Sequence, residues 1–334
     1  MAKAPRSLAG KIVAITGGAR GIGRATAAAL IAQGSRVAIG DIDAPLAERT
    51  ADELGSATIG LALDVTDRAS FAAFAAEVES RIGPLDVLIN NAGIMPIGPF
   101  VAETDATADR IIDINLRGVI IGSKLALERF LPRGRGHLVN ISSAAGKGGY
   151  PGGATYCATK HAVVGLSEAI RSEVRGAGID VSIVMPVGVN TELYSGVSPP
   201  RGMKVAQPED VADAIVEALR TGRTDVYVPR SVGPLIWINN LVPRFVGDLM
   251  MKLLKADQVL LKTDPVARGA YQRRTSEPPA TLGAPAASAA DPAASAAEPA
   301  APTAEPAAPM AEPAAPVNGA AGARVDAELE TRAV

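Results

Sequence analysis

The sequence predicts an α/β fold: a doubly wound parallel sheet of about seven strands with helices on both faces. A helical C-terminal extension and a disordered tail follow it. Short, apolar, β-branched runs alternate with helix-patterned segments from residue 11 to residue 228, the order that a parallel sheet with crossover helices requires. The first run leads at once into Thr16-Gly17-Gly18-Ala19-Arg20-Gly21-Ile22-Gly23 and an alanine-rich helix. Past residue 275 the composition changes: no aromatic residue remains, and Pro285, Pro292, Pro299, Pro306 and Pro313 recur every seven.

Taken in order, a strand is expected over residues 11–15. The glycines after it let the backbone turn tightly and approach a pyrophosphate, whose charge then sits on the N-terminus of the helix that runs to Gln33. A second strand, 36–40, ends on Asp41, eighteen residues beyond Gly23 and close to where an acidic residue reaches an adenosine ribose. Next come a helix over 45–54, a strand over 58–63 running into Asp64-Val65, and a helix over 68–81. The strand 85–89 runs into Asn90-Asn91-Ala92-Gly93. One long helix is expected over 105–130, with Asn115 in its middle. The apolar run 137–142 reads as a buried strand. A helix carrying Tyr156 to about residue 175, a strand over 180–185, the loop 186–191, a helix over 208–220 and a last strand over 225–228 complete the series.

At 334 residues the chain could hold two domains, but its composition argues for one large domain and a tail. Each tail repeat carries a helix-breaking proline and no large apolar seam, so it cannot bury enough surface to offset its ordering entropy. The net charge of −2 includes eight acidic and two basic tail residues, so the folded part is mildly basic. No Lys/Arg cluster interleaved with aromatics suggests nucleic-acid binding. The single cysteine, Cys157, excludes an internal disulfide and a cysteine-based zinc site, and fits a reducing cytoplasm. No metal is expected. Residues 1–10 lack a signal peptide's apolar core and no run of 18 apolar residues exists, so a cytoplasmic location is expected.

The chemistry concentrates between Ser143 and Lys160. Tyr156 and Lys160, four apart on a helix, share one face. A free phenol titrates near ~10, and a neighbouring ammonium favours the phenolate, which makes the tyrosine a usable general acid/base. Ser143, thirteen residues upstream at the end of a buried strand, is placed to hold a carbonyl oxygen while the tyrosine protonates it. Ser142 competes for that role, but adjacent strand residues face opposite sides, so only one of the two can point at the site. Cys157 is turned about 100° away from Tyr156 on the helix and reads as a small packed hydrophobe. His137 and His161 lack a partnered triad and read as structural.

With these residues in order, the stretch from about residue 8 to 230 resembles the short-chain dehydrogenase/reductase family. The matching positions are the Thr16-to-Gly23 motif, Asp64, Asn90-Asn91-Ala92-Gly93, Asn115, Ser143, Tyr156 and Lys160. The resemblance implies a Rossmann-type NAD(P)-binding catalytic domain over 1–230; the helical extension over 231–275 lies beyond the usual end of that fold, and composition sets off the tail over 276–334. The resemblance also implies hydride transfer between NAD(P) and an alcohol or ketone. Tyr156 would be the acid/base, Lys160 would lower its pKa and bind the nicotinamide ribose, Ser143 would orient the substrate oxygen, and Asn115 would hold a water behind Lys160. Gly17, Arg20, Gly21, Ile22, Gly23, Asp41, Asp64, Val65, Asn91, Val189 and Thr191 would line the cofactor site together with Tyr156 and Lys160. Asp64 would meet the adenine edge. Asn90 and Asn91 equally suit loop bracing. The chain departs from the family where Pro186 is followed by Val187 and only then Gly188, which weakens the assignment of carboxamide contacts to Val189 and Thr191.

Asp41 would accept hydrogen bonds from an unphosphorylated ribose and repel a 2′-phosphate, favouring NAD over NADP; Arg20 is the opposing residue, and Ile42 stands where a second basic residue would be needed. The substrate side is apolar, with Ile94, Met95, Pro96, Tyr150, Val187, Leu193 and Tyr194, which points to a hydrophobic secondary alcohol or ketone. In the extension, Phe245, Val246, Leu249, Met250, Leu253 and Leu254 form one stripe of an amphipathic helix over 243–255. Its first reading is a wall over the substrate site or a contact in a homo-oligomer. Its second, supported by Trp237 and the basic residues Arg244, Lys252 and Lys255, is a peripheral membrane contact. The non-enzymatic alternative for the whole chain, a cofactor sensor or scaffold, has no need of a tuned phenol.

Overall fold

The computed structural model describes residues 5–199, 204–243, 246, 252–253 and 258–276. Seven strands form one parallel sheet: β1 (Ile12–Thr16), β2 (Arg36–Asp41), β3 (Thr58–Ala62), β4 (Val87–Asn90), β5 (Gly136–Ile141), β6 (Ile179–Pro186) and β7 (Asp225–Val228). Their order is β3-β2-β1-β4-β5-β6-β7. The winding reverses between β1 and β4, where Val13 pairs with Val87 and Ile15 with Ile89. A crevice opens at the carboxyl ends of strands at such a reversal, and ligands bind there in sheets of this kind.

The strands are buried on both faces because their alternate residues serve two separate cores. Val13, Ile15, Val37, Ile39, Val139 and Val184 face one layer, which holds α1 (Gly21–Ala32), α2 (Ala44–Leu54) and α7 (Pro208–Thr221). Ile12, Ala14, Ala38, Leu88, Leu138 and Val181 face the other, with α3 (Arg68–Arg81), α5 (Gly118–Phe130) and α6 (Ala154–Glu173). Side chains set where helices begin. Asp67 accepts from the N–H groups of Ala69 and Ser70 to start α3, Thr104 accepts from Thr107 to start α4 (Asp105–Ile112), and Gln207 and Asp210 form a capping box on α7.

The single helix expected over 105–130 is interrupted. Between α4 and α5, residues Asp113–Arg117 form a π turn with Asn115 at its middle, fully buried. The extra residue of a π turn rotates the helix faces, and such turns concentrate at functional sites. Here it delivers the Asn115 amide inward. Asn115 Oδ1 accepts from the Ile94 N–H at 2.8 Å and its Nδ2 donates to the Ile94 carbonyl at 2.8 Å.

After β7 come α8 (Val232–Leu241) and a last helix, α9 (Pro265–Ser276). Helix α9 ends within a residue of the boundary expected after 275, and Thr275 is buried, its hydroxyl donating to the Tyr271 carbonyl at 2.9 Å. The stripe over 243–255 lies mostly outside the described residues, as do Phe245, Leu249, Met250 and Leu254. Leu253, which is described, is 69 % exposed. The proline repeats also lie outside. No described helix is long and apolar enough to cross a membrane.

Candidate active site

The turn after β1 is held from the neighbouring strand. Asn91 Nδ2 donates to the carbonyls of Thr16 and Gly17, each at 2.9 Å, and the N–H groups of Asn91 and Ala92 both donate to Thr16 Oγ1 at 3.0 Å. A side chain is impossible at Gly23, where a Cβ would stand 2.3 Å from the Gly17 carbonyl oxygen and 2.8 Å from Asn91 Nδ2. Helix α1 starts at Arg20 with no side-chain cap and no acid in its first turn. Its first N–H groups therefore face the cleft as free donors, and a pyrophosphate is the group they suit. Gly17, Arg20, Gly21, Ile22, Asp41, Asp64, Val65, Asn91, Val189 and Thr191 all line this one cleft of about 1670 Å³, with Ser143, Tyr156 and Lys160. Gly23 sits behind its wall. Asn115 braces the wall from outside through Ile94, and Asn90 lies deeper still, donating to Asn140 Oδ1 at 2.9 Å.

Asp41 and Arg20 stand together at the far end of the cleft. Asp41 accepts from the N–H groups of Ala19 and Asp43, each at 3.2 Å; burial pushes its carboxyl up, and these bonds and Arg20 pull it down. Arg20 is neither free nor solvent-facing in the simple sense. It pairs with Asp43 at 2.8 Å and with Glu192 at 3.5 Å. The residue that could have met a 2′-phosphate is thus already neutralised, in a corner that also holds Asp41.

At the near end, the two serines divide their tasks. Ser142 donates to the Lys160 carbonyl at 2.9 Å and is buried against α6. The Ser143 hydroxyl accepts from the Ala145 N–H at 3.1 Å and donates to the Pro186 carbonyl at 3.3 Å, beside Tyr156. Lys160 Nζ stands 5.6 Å from the centre of the Tyr156 ring and donates to the Ile141 carbonyl at 3.0 Å. Burial brings the Lys160 ammonium down to about 8. Burial also pushes the Tyr156 phenol well up, with the Ser143 hydroxyl opposing it. Desolvation dominates and Lys160 is not among the groups that lower the phenol, so the lowering expected from Lys160 is not found.

Against known proteins, the profile of the family described as short chain dehydrogenase matches residues 11–201. The chain belongs to that family. It is an oxidoreductase of the short-chain dehydrogenase type. It is 38 % identical over 227 residues to a sorbitol dehydrogenase of Cereibacter sphaeroides, covering 65 % of this chain and 87 % of that one. It is also 38 % identical over 228 residues to 2-(S)-hydroxypropyl-CoM dehydrogenase 3 of Xanthobacter autotrophicus, covering 63 % and 89 %. Among solved structures, a short-chain dehydrogenase/reductase of Burkholderia phymatum in complex with NAD superposes with a TM-score of 0.65 at 26 % identity, covering 70 % of this chain and 94 % of that one. A 3-ketoacyl-(acyl-carrier-protein) reductase of Brucella melitensis complexed with NADH gives 0.62 at 31 %, covering 66 % and 98 %.

Within this short-chain dehydrogenase, sequence reasoning missed Val197, Val259 and Leu260 in the apolar cluster beside Tyr156. Met95, Tyr156 and Cys157 pack with Leu260 and Val197, flanked by Tyr150, Leu193, Tyr194 and Val259. Tyr271 and Thr275 of α9 also line the cleft. Among the described residues of the C-terminal extension, Val232, Leu235, Ile236 and Val242 line the cleft, and so do Val259, Leu260 and Arg274. The one signal available was a tyrosine among three arginines, Arg268, Tyr271, Arg273 and Arg274, in a segment with no other purpose. The remaining side chains behave as small structural parts. Cys157 Sγ accepts from the Tyr150 N–H at 3.4 Å, His161 Nδ1 is 2.8 Å from the Cys157 carbonyl, and His137 Nε2 is 2.8 Å from Ser182 Oγ.

Proposed function

We propose that the protein interconverts a hydrophobic secondary alcohol and its ketone, with NAD preferred over NADP and Tyr156 as general acid/base. The observation that carries this is the meeting, on one cleft, of the buried Tyr156 and Lys160 and the half-buried Ser143 with an uncapped helix N-terminus and Asp41. Those residues fit a nicotinamide dinucleotide: α1 would take the pyrophosphate, Asp41 the adenosine ribose, Asp64 and Val65 the adenine side, and Lys160 with Tyr156 the nicotinamide ribose. Val189 and Thr191, on the loop that touches Gly21, would border the nicotinamide. When bound, the cofactor supplies or accepts the hydride.

The chain's own residues do the rest. The Ser143 hydroxyl holds the substrate oxygen beside Tyr156. In reduction the Tyr156 hydroxyl gives its proton to that oxygen; in oxidation the phenolate takes the proton back. Burial keeps the phenol protonated at neutral pH, which suits it as the donor, and the Lys160 ammonium, 5.6 Å from the ring centre, would stabilise the anion left behind. Asn115 keeps Ile94, and with it the turn at Gly93, in place. The apolar surround of Met95, Tyr150, Leu193, Tyr194 and Leu260 excludes water and selects an apolar substrate. Assembly of copies through exposed apolar side chains, Phe100 and Val101 among them, belongs to the same reading.

The test is a panel of secondary alcohols and ketones of increasing apolar bulk, assayed with NAD and with NADP by nicotinamide absorbance. Turnover that improves with apolar bulk and prefers NAD is the expected result. Tight NADH binding with no turnover on any member would leave only a cofactor-binding protein.

A further inference from the structure

Met95 is the central substrate-side residue of the cleft, and both of its backbone groups are bound by α9. Its N–H donates to Tyr271 Oη at 2.8 Å, and its carbonyl accepts from Arg268 Nη2. The same guanidinium reaches across the cleft wall: Arg268 Nη1 donates to the carbonyls of Leu193 at 3.2 Å and Ser195 at 3.0 Å. Arg268 is only 3 % exposed, and burial lowers its pKa. No carboxylate accompanies it among these contacts. Its partners are three backbone carbonyls from two loops, with the Tyr271 ring 5.0 Å from its guanidinium carbon. A planar guanidinium with its donors fixed in one fork can hold three carbonyls at set positions; a lysine ammonium on a flexible stem cannot reproduce that.

The docking around Arg268 is equally specific. Gly196 adopts φ +69°, and a Cβ there would stand 2.7 Å from the Asp264 carbonyl oxygen and 3.2 Å from Arg268 Cβ. Asp264 N–H donates to the Gly196 carbonyl at 2.9 Å, and Val197 bridges to Thr263. Leu260 packs on Gly152 and Gly153, immediately before the helix that carries Tyr156. Residues 260–276 therefore touch the segment after β4, the segment before α6 and the loop after β6. All three pieces of chain contribute residues to the lining of the cleft.

We infer that Arg268 is a positioning residue for the substrate subsite: by tying Met95 to Leu193 and Ser195 it fixes the width of the apolar pocket, so that the C-terminal helix determines which substrates the enzyme accepts. This rests on the proposed reaction for its kinetic consequence, but not for its structural one. Arg268 touches neither the residues assigned to the cofactor nor the Ser143, Tyr156 and Lys160 set. Its loss acts on substrate binding and leaves cofactor binding alone.

Three full-length variants, Arg268→Gln, Arg268→Lys and Tyr271→Phe, test it against the substrate with the best turnover in the panel. Arg268→Gln is expected to raise KM roughly tenfold or more, to change kcat less than about threefold, and to leave the NADH Kd within about twofold. Arg268→Lys is expected to recover part of the KM loss, and Tyr271→Phe, which removes only the acceptor of the Met95 N–H, to raise KM about threefold. Hydrogen exchange supplies a readout independent of turnover: amides over 94–97 and 193–197 should exchange faster in both the Gln and Phe variants, while those of 12–32 are unchanged. If the wild type turns over nothing, the proposed reaction fails and hydrogen exchange alone decides this inference. If Arg268→Gln does not fold, Tyr271→Phe decides it. An unchanged KM with unchanged exchange overturns the inference. So does an equal loss of NADH affinity and melting temperature, which marks a purely structural arginine.

Discussion

On the cofactor side of the cleft, the glycine turn is held by Asn91 and Thr16 across two adjacent strands, in contacts spanning about 75 residues of sequence. On the substrate side, Met95 is held by Arg268 and Tyr271 in contacts spanning 173 and 176 residues. The first wall is fixed by the sheet itself, since β1 and β4 pair directly and bring both partners with them. The second is fixed by side chains that reach backbone groups from a helix outside the sheet. The difference teaches that one side of a single cleft can be fixed by the sheet while the other is held by a separate, late segment.

The comparison breaks most sharply at the residue where the walls meet. Tyr156→Phe is expected to lower kcat by ~10²–10⁴ while keeping NADH affinity, because only the acid/base hydroxyl is removed. Stopped-flow titration with NADH beside steady-state turnover checks this, and undiminished kcat would end the mechanism. Gly23→Ala attacks the cofactor wall alone. A methyl 2.3 Å from the Gly17 oxygen must push the turn apart, so NADH Kd should rise by at least about tenfold, with exchange over 193–197 unaltered. Asp41→Ala sharpens the same side. It should reduce the preference for NAD over NADP by roughly tenfold, measured as the ratio of kcat/KM values. A wild type that already prefers NADP would mean that Arg20 escapes Asp43 and Glu192 when the cofactor binds.

Two further tests lie away from both walls and measure how independent they are. Burial, reinforced by Arg6 and opposed by Asp180, brings His137 down to about 4 from 6.5. The unfolded chain then binds the proton first, so His137 contributes stability that is complete above pH 6.5 and is lost as pH falls towards 4. The slope is at most about 1.4 kcal/mol per pH unit. Urea melts of wild type and His137→Asn between pH 7 and 4.5 should show a flatter dependence in the variant. The smallest effect is expected from deleting residues 279–334, which spares Thr275 and all of α9. Melting temperature and turnover should both be unchanged, whereas a clear fall in melting temperature would show that the proline repeats pack on the enzyme.

The fold was legible because its signals are local. The β-branched runs and the helix-patterned segments between them each mark an element within a few residues, and α3 and β7 fall where they were expected. The glycine turn, Asp41, Ser143, Tyr156 and Lys160 were legible because each needs a particular residue type at a fixed spacing, and all of them do line one cleft. The π turn was not, since no residue type demands it: Asn115 sits in helical surroundings, and only its pairing with Ile94 explains the extra residue. The role of α9 was hidden for the same reason at longer range. Arg268 binds carbonyl oxygens, which every residue possesses, so nothing at Met95, Leu193 or Ser195 advertises the partnership.

The long separation between Met95 and Arg268 also orders events in time. Translation proceeds at about 5–20 residues per second, and earlier segments fold before later ones appear. Arg268 is made 173 residues after Met95, which places it roughly 10–35 s behind on the ribosome. Throughout that interval the strands from β1 to β4 are available to pair and the glycine turn to form, while the Met95 amide and carbonyl remain hydrated. A nascent chain can therefore form its glycine turn well before Met95 meets its partners on α9, and the contacts at Met95 are among the last the molecule acquires as it is synthesised.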